Sequence, residues 1–126
     1  MAATVIKTSE APAPIGPYSQ AISTGNMLFV SGQIALNPLT QTIDAKNIAE
    51  ESRQVMSNIQ AILKEAGMSF HNIVKTTIYL SDMALFAEVN EIYASYFTSN
   101  FPARETLAVK GLPKNVNVEI SVIAAL

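Results

Sequence analysis

One arginine and one carboxylate are set into two otherwise apolar strand patterns near the end of this chain. Pro102 fixes its own φ at about −65° and holds Phe101 extended, so a helix should end before Pro102 and a strand begin after Arg104. In the last strand pattern, Glu119 alternates with β-branched residues that point to the other face. A carboxylate in such a strand is costly to bury unless a partner compensates its charge. We expect Arg104, at the head of a neighbouring strand, to be able to do so.

Two interpretations of Arg104 and Glu119 are open at this point. The first is a structural ion pair that fixes strand register. The second is a functional pair, in which the arginine binds a carboxylate ligand and the glutamate orients a water molecule. Both interpretations require the same geometry, so the residues alone do not separate them.

The length and composition predict one domain over residues 1–126 that assembles into an oligomer. A chain of 126 residues can bury a single core. With 49% hydrophobic and 14% charged residues, it carries more apolar side chains than one small core needs, which predicts buried subunit contacts. The net charge of −2, with no cluster of Lys or Arg, argues against a nucleic-acid partner.

The chain contains no cysteine, which excludes disulfides, thiolate nucleophiles and thiolate metal sites. A single histidine, His71, also argues against a zinc site, and we expect no metal. Residues 1–8 lack the apolar core of a signal peptide, and no apolar run approaches the ~20 residues that span a membrane. We therefore predict a cytoplasmic protein without membrane contact.

Hydrophobic periodicity predicts an α+β fold with six strands and two helices in the order β, ββ, α, β, α, ββ. Both helices, of about 15 to 20 residues each, should cover one face of a mixed sheet. The other face then needs cover, for which a neighbouring subunit is the natural source. The predicted strands are Ala3–Lys7, Tyr18–Ser23, Met27–Ser31, Ile73–Leu80, Glu105–Lys110 and Val116–Ala124. The first helix has helical spacing from Ile48 to Ala66 and ends at Gly67, and Asp82 or Ser81 caps the second.

Two further residues invite either a structural or a functional interpretation. Gly32 lets another group approach its backbone closely, which suits a strand bend or a ligand contact, and the bend is the favoured interpretation. Asn90 falls on or beside the apolar stripe of the second helix. Because a buried amide must find partners, we expect its side chain to bond nearby backbone.

Five short motifs are spread in order over essentially the whole chain: Ile15-Gly16-Pro17-Tyr18, Ser31-Gly32-Gln33, Val74-Lys75-Thr76-Thr77, Phe101-Pro102-Ala103-Arg104 followed by Leu112-Pro113, and Val118-Glu119-Ile120. In combination they resemble the RidA (YjgF/YER) family of reactive-intermediate deaminases. The resemblance implies a homotrimer of chorismate-mutase-like α+β subunits with ligand clefts between subunits. It also implies hydrolysis of 2-imino acids, such as 2-aminoacrylate and 2-iminobutanoate released by pyridoxal-phosphate dehydratases, without a cofactor or metal.

The resemblance also implies roles for individual residues. Arg104 would bind the substrate carboxylate and Glu119 would hold or activate the attacking water. The remaining implied site residues surround the ligand: Tyr18 closing the cleft, Ser31 and Asn90 lining it, and Gly32 and Thr106 donating backbone N–H groups.

Two residues depart from the family pattern. Thr106 stands where relatives often have cysteine, which excludes thiol chemistry there but keeps the backbone donor. Glu105 stands where a small or apolar residue is usual, and strand alternation predicts that it faces away from Thr106. The predicted activity is imine deamination. One alternative is a non-catalytic binder or sensor of small 2-oxo acids, which would need Arg104 but not Glu119. A third function, the ribonuclease activity attributed to some relatives, is disfavoured by the acidic pI and the lack of a basic patch.

Overall fold

A six-stranded sheet runs through the computed structural model, which describes residues 2–126. The spatial order of strands is β1-β2-β3-β6-β4-β5; only β4 and β5 pair in parallel, so the sheet is mixed as predicted. The strands are β1 (Thr4–Ile6), β2 (Ala21–Thr24), β3 (Met27–Gln33), β4 (Ile73–Leu80), β5 (Ala103–Ala108) and β6 (Val118–Ala125), and the helices are α1 (Ile48–Glu65) and α2 (Phe86–Ala94).

Both helices cover the same face of the sheet, as the sequence predicted. The covered face carries the apolar residues that alternate along β6, namely Val118, Ile120 and Val122, all of which are buried. Helix α1 buries its apolar stripe on this face, and the stripe recurs at helical spacing: Val55, Met56, Ile59, Ile62 and Leu63. None of the helices formed by residues 2–126 is long and apolar enough to cross a membrane.

The opposite face of the sheet is covered by no helix of the described residues, and it exposes apolar side chains. One row across this open face runs from Val5 through Ile22 and Phe29 to Ile123, each paired with the next in register. Phe29 is 43% exposed and Val5 is 56% exposed. Leu107, on β5, is also exposed on this face. Apolar side chains arranged in such rows are what a sheet normally buries against another layer.

Several predicted boundaries of strands and helices are wrong. Strand β5 begins at Ala103 and therefore includes Arg104, because an extended Phe101-Pro102 leads straight into the strand. Helix α2 has nine residues rather than 15 to 20; a 3₁₀ turn over Met83–Leu85, capped by the Asp82 side chain, precedes it. Strand β6 begins at Val118 because Lys114 and Asn115 adopt positive φ just before it.

Candidate active site

Arg104 lies on the helix-covered face of the sheet, where side chains of α2 contact its guanidinium group. It pairs in register with Thr76 of β4, and its Nη1 donates a hydrogen bond to Asn90 Oδ1 at 2.6 Å. Its guanidinium carbon lies 5.2 Å from the ring centroid of Tyr93 and 5.6 Å from that of Phe86, within range of cation–π attraction. The expected backbone bond of Asn90 is therefore wrong, since its amide oxygen holds the arginine.

The arginine opens into a cavity of about 270 Å³, which we call the arginine cavity, lined by Asn90, Tyr93, Ala94, Phe101, Pro102 and Arg104. The only ion pair among residues 2–126 joins Lys75 Nζ to Glu105 Oε1 at 3.1 Å, so no carboxylate neutralises Arg104 in the described chain. A guanidinium with five donors and one neutral amide partner has donors left for an anionic ligand. Burial raises the pKa of Tyr93, so its hydroxyl stays neutral beside this cation.

Glu119 lies on the open face of the sheet, opposite Arg104. It pairs with Tyr79 of β4 and is half-buried, and burial raises the pKa of its carboxyl group. It borders a second cavity of about 310 Å³, which we call the glutamate cavity, lined by Ile15, Tyr18, Ser31, Gly32, Ile34, Pro113 and Glu119. This cavity brings together four of the predicted site residues.

Gly32 lies directly against the Glu119 side chain. A Cβ atom built at Gly32 would overlap Glu119 Oε2 and lie 2.9 Å from the carboxyl carbon, so any larger residue would displace the carboxylate. The pairing of β3 with β6 also shifts register between Val30 and Gln33, across this glycine. The strand irregularity and the close approach of a functional group thus coincide at one residue.

The segment before β2 forms the outer wall of the glutamate cavity. The Tyr18 hydroxyl accepts a hydrogen bond from the Ile15 backbone N–H at 3.2 Å, which folds the ring back over its own loop. The Ser31 hydroxyl donates to the Ser19 carbonyl oxygen at 2.6 Å, and the Ser31 N–H donates to the Gln20 carbonyl oxygen at 2.9 Å. These bonds attach the loop to β3 beside Gly32.

The predicted pairing of Arg104 with Glu119 is wrong within one chain. Strand β4 lies between β5 and β6, so the two residues are not on neighbouring strands. Arg104 shares the helix-covered face with Thr76, whereas Glu119 alternates with the buried residues of β6 and faces the open side. The ion-pair interpretation therefore fails, and the pKa of Glu119 is set by burial rather than by a neighbouring cation.

Thr106 lies on the same face as Arg104, two residues further along β5, and its Oγ1 is buried without a hydrogen-bond partner in the described chain. The Val109 N–H donates to the Leu80 carbonyl oxygen at 2.9 Å. Because odd-numbered residues of β5 therefore bond β4, alternation directs the Thr106 N–H to the unpaired edge of the sheet. This backbone donor is free for a ligand or another chain.

Glu105 lies on the open face, away from Thr106, as predicted. It accepts a hydrogen bond from the Thr77 hydroxyl at 2.6 Å and pairs with Lys75. The hydrogen bond from Thr77, followed by that from Lys75, lowers the pKa of the Glu105 carboxyl group. The Glu105 carboxylate therefore interacts with Thr77 and Lys75, and neither of these residues borders the arginine cavity.

The sequence interpretation missed some of the residues around both cavities. It assigns neither Phe86 nor Tyr93 to the site, although the spacing 86, 90, 93 on one helix presents Asn90 and both rings to one side chain, which is a signal for a bound arginine. Ile34 lines the glutamate cavity from the loop after β3 and Pro113 from a 3₁₀ turn, and no periodicity reveals either conformation. No group of three His, Cys, Asp or Glu residues within 2–126 is arranged to hold a metal ion.

Comparisons with known proteins agree with these motifs. The family model "Endoribonuclease L-PSP" matches residues 8–126. The 2-iminobutanoate/2-iminopropanoate deaminase of Homo sapiens is 47% identical over 120 residues, covering 95% of this chain and 88% of that protein. The Rid protein YyfA of Yersinia pestis superposes with a TM-score of 0.96 at 48% identity over 99% of this chain and 100% of its own. E. coli TdcF with bound serine gives a TM-score of 0.93 at 38% identity, over 98% of each chain. The chain therefore belongs to the RidA (YjgF/YER) family.

Proposed function

We propose that this protein hydrolyses small 2-imino acids, such as 2-iminobutanoate and the imine form of 2-aminoacrylate, to 2-oxo acids and ammonia in the cytoplasm. The observation that carries the proposal is the environment of Arg104: Asn90 and two aromatic rings hold its guanidinium group, and no carboxylate among residues 2–126 pairs with it. A planar two-pronged donor in such a cavity suits a small carboxylate. The similarity to a deaminase and to a protein with bound serine supports the same ligand class.

The complete site would form between two copies of the chain. Arg104 and Glu119 lie on opposite faces of one sheet, so one molecule of substrate cannot reach both within a single chain. The open face that carries Glu119 also exposes Phe29 and Leu107, which a second copy would bury. A homotrimer, in which each arginine cavity meets the glutamate cavity of a neighbour, satisfies both requirements.

In the proposed mechanism, the substrate carboxylate binds Arg104 and places the imine carbon beside a water held by Glu119. The ionised Glu119 accepts a proton as the water oxygen bonds to that carbon and passes this proton to the imine nitrogen, giving a tetrahedral amino alcohol. Glu119 then takes the hydroxyl proton and delivers it to the amino group as the C–N bond breaks, which releases ammonia and leaves the 2-oxo acid. Acid–base help of this kind contributes roughly 10²–10⁴-fold.

Tyr18 would close the cleft over the ligand, and Ser31 would line it. The backbone N–H groups of Gly32 and Thr106 would donate to the substrate. These donors orient the reactants rather than take part in proton transfer.

The test generates 2-iminobutanoate with a threonine dehydratase and follows imine decay and ammonia release. We expect the native protein to speed the decay, Arg104→Ala to abolish the effect and Glu119→Ala to reduce it at least 100-fold. Arg53→Ala is the matched control, since Arg53 is the other arginine and is exposed on α1; it should behave as native. Unchanged imine decay with native protein would refute the deaminase.

The second candidate is a binder or sensor of small 2-oxo acids. The observation that favours it is that the arginine cavity is lined wholly by residues other than Glu119. Titration calorimetry with 2-oxobutanoate separates the two functions. Binding that Arg104→Ala abolishes, in a native protein without deaminase activity, would establish the sensor.

A further inference from the structure

Helix α1 carries a buried carboxylate that the proposed mechanism does not use. Glu51 is 6% exposed and lies in the first turn of α1. Its carboxylate accepts three hydrogen bonds, from Asn117 N at 2.7 Å, Val118 N at 3.0 Å and Asn117 Nδ2 at 3.1 Å. A carboxylate that accepts hydrogen bonds from several donors forms strong, charge-assisted bonds. The positive end of the helix dipole also stabilises the negative charge of the carboxylate.

These bonds fix the point at which the chain enters β6, directly before Glu119. Lys114 and Asn115 hold positive φ there, so the chain turns sharply into the strand. Asn117 is also held from the end of β4, since Ser81 N donates to its carbonyl oxygen at 3.0 Å and Ser81 Oγ to its Oδ1 at 2.9 Å. The residue two before Glu119 is thus attached to two elements.

The facing wall of the glutamate cavity is attached to the same helix. Asn58, seven residues after Glu51 and so on the same side of α1, donates from Nδ2 to the carbonyl oxygens of Ile34 at 3.1 Å and Leu36 at 3.0 Å. Gln54 fixes the amide of Asn58 by donating to its Oδ1 at 2.9 Å. Helix α1 therefore holds both the segment after Gly32 and the start of the strand that bears Glu119.

We propose that Glu51 is a positioning residue for the deamination reaction: by accepting the N–H groups of Asn117 and Val118, it holds the Glu119 carboxylate against Gly32. This inference rests on the proposed function. Glu51 lines neither the arginine cavity nor the glutamate cavity; it acts through the backbone of β6. A misplacement of about 1 Å in a reacting group can cost on the order of 10²-fold in rate, which sets the scale of the effect.

The test substitutes Glu51→Gln, which keeps the side-chain size but replaces one acceptor oxygen by an NH₂ group; in either orientation that group faces a donor, the two backbone N–H groups or the Asn117 side-chain amide. We expect kcat for 2-iminobutanoate to fall roughly 10- to 100-fold. Binding of 2-oxobutanoate, which depends on the arginine cavity, should stay within about twofold of native. Glu50→Gln is the matched control, because Glu50 is exposed one residue earlier and accepts from Lys46 N, as glutamine also can.

A second readout separates positioning from general weakening of the fold. Glu119 is half-buried, with Tyr18 lining the same cavity and Tyr79 paired to it across the strands. If Glu51→Gln releases the Glu119 carboxylate into solvent, the pKa of Glu119 falls toward the ordinary carboxyl value. The acid limb of the profile of kcat against pH then moves to lower pH. A loss of stability alone would leave that limb in place.

The outcomes distinguish the inference from the function on which it rests. Native deaminase activity with kcat and the acid limb unchanged in Glu51→Gln would overturn this inference alone, whereas an inactive native protein would overturn both. If Glu51→Gln does not fold, Asn117→Ala replaces it: that variant removes one of the three bonds to Glu51, together with the bond from Ser81 Oγ, and keeps the backbone donors, while Ser81→Ala removes only the latter bond and is its control. Asn117→Ala should lower kcat about two- to fivefold; native kcat would reduce Glu51 to a structural role.

Discussion

At the scale of single residues, Gly32 matters for the position of the Glu119 side chain rather than for the fold. Its missing side chain is the space in which the Glu119 carboxyl group lies. Gly32→Ala should therefore lower deaminase activity at least tenfold while the protein stays folded, because the added methyl pushes the carboxylate away. Gly111→Ala is the control, since a Cβ there meets no atom within 4 Å. Equal activity of the two variants would contradict the prediction.

The raised pKa of Glu119 predicts how stability depends on pH. Because the folded protein holds this proton more tightly than the unfolded chain, the free energy of unfolding falls as pH rises from the ordinary carboxyl pKa through the raised folded one. Glu119→Gln should thus unfold at a higher temperature than native at pH 7, and the gap should close near pH 4.

Glu105 should change the pH dependence of stability in the direction opposite to Glu119. Its pKa is lowered by Thr77 and Lys75, so it contributes stability above the unfolded pKa that is lost as pH falls through the folded one. Glu105→Gln should therefore be less stable than native at pH 7 and approach native at low pH. Thermal scans at both pH values check both variants, and a shift of the same sign in each would contradict the assignment.

At the scale of elements, the docking of α2 on β4 sets the arginine cavity. The Tyr93 hydroxyl donates to Thr76 Oγ1 at 2.8 Å, and both residues are buried. Tyr93→Phe should lower the free energy of unfolding by about 1 kcal/mol, since it leaves Thr76 without that donor. Tyr96→Phe, three residues further on, has no such bond in the described chain and should cost less. Urea titration of both variants gives the difference, and equal losses would contradict it.

The elements were predictable from the sequence, but their partners were not. Strand β4 and helix α1 follow from alternation and helical spacing, which depend only on nearby residues. Whether Arg104 lies beside Glu119 depends on the strand order of the sheet. Strand β4 lies between β5 and β6, and the local sequence pattern does not reveal these pairings. Asn90 shows the same limit, because its partner lies 14 residues away.

At the scale of the whole molecule, one chain places the predicted site residues in two cavities on opposite faces of the sheet and not in one. The predicted site residues divide between two cavities, since Tyr18, Ser31, Gly32 and Glu119 line one while Asn90 and Arg104 line the other. Motif order along a chain carries no information on which face of a sheet a residue reaches. A second copy would join the two cavities as halves of one site, and would also cover the apolar open face.

Joining half-sites across copies predicts complementation between two inactive variants. Arg104→Ala and Glu119→Ala, unfolded together and refolded, should recover about a quarter of native activity, because each half comes intact from half of the chains in a closed ring. Each variant refolded alone is the control and should stay inactive, as should the two mixed without refolding if subunits exchange slowly. A doubly substituted chain refolded with native protein should also give about a quarter, which checks that assembly is random. No recovery in the first mixture would show that each site is built from one chain, and the proposed arrangement of copies would fall.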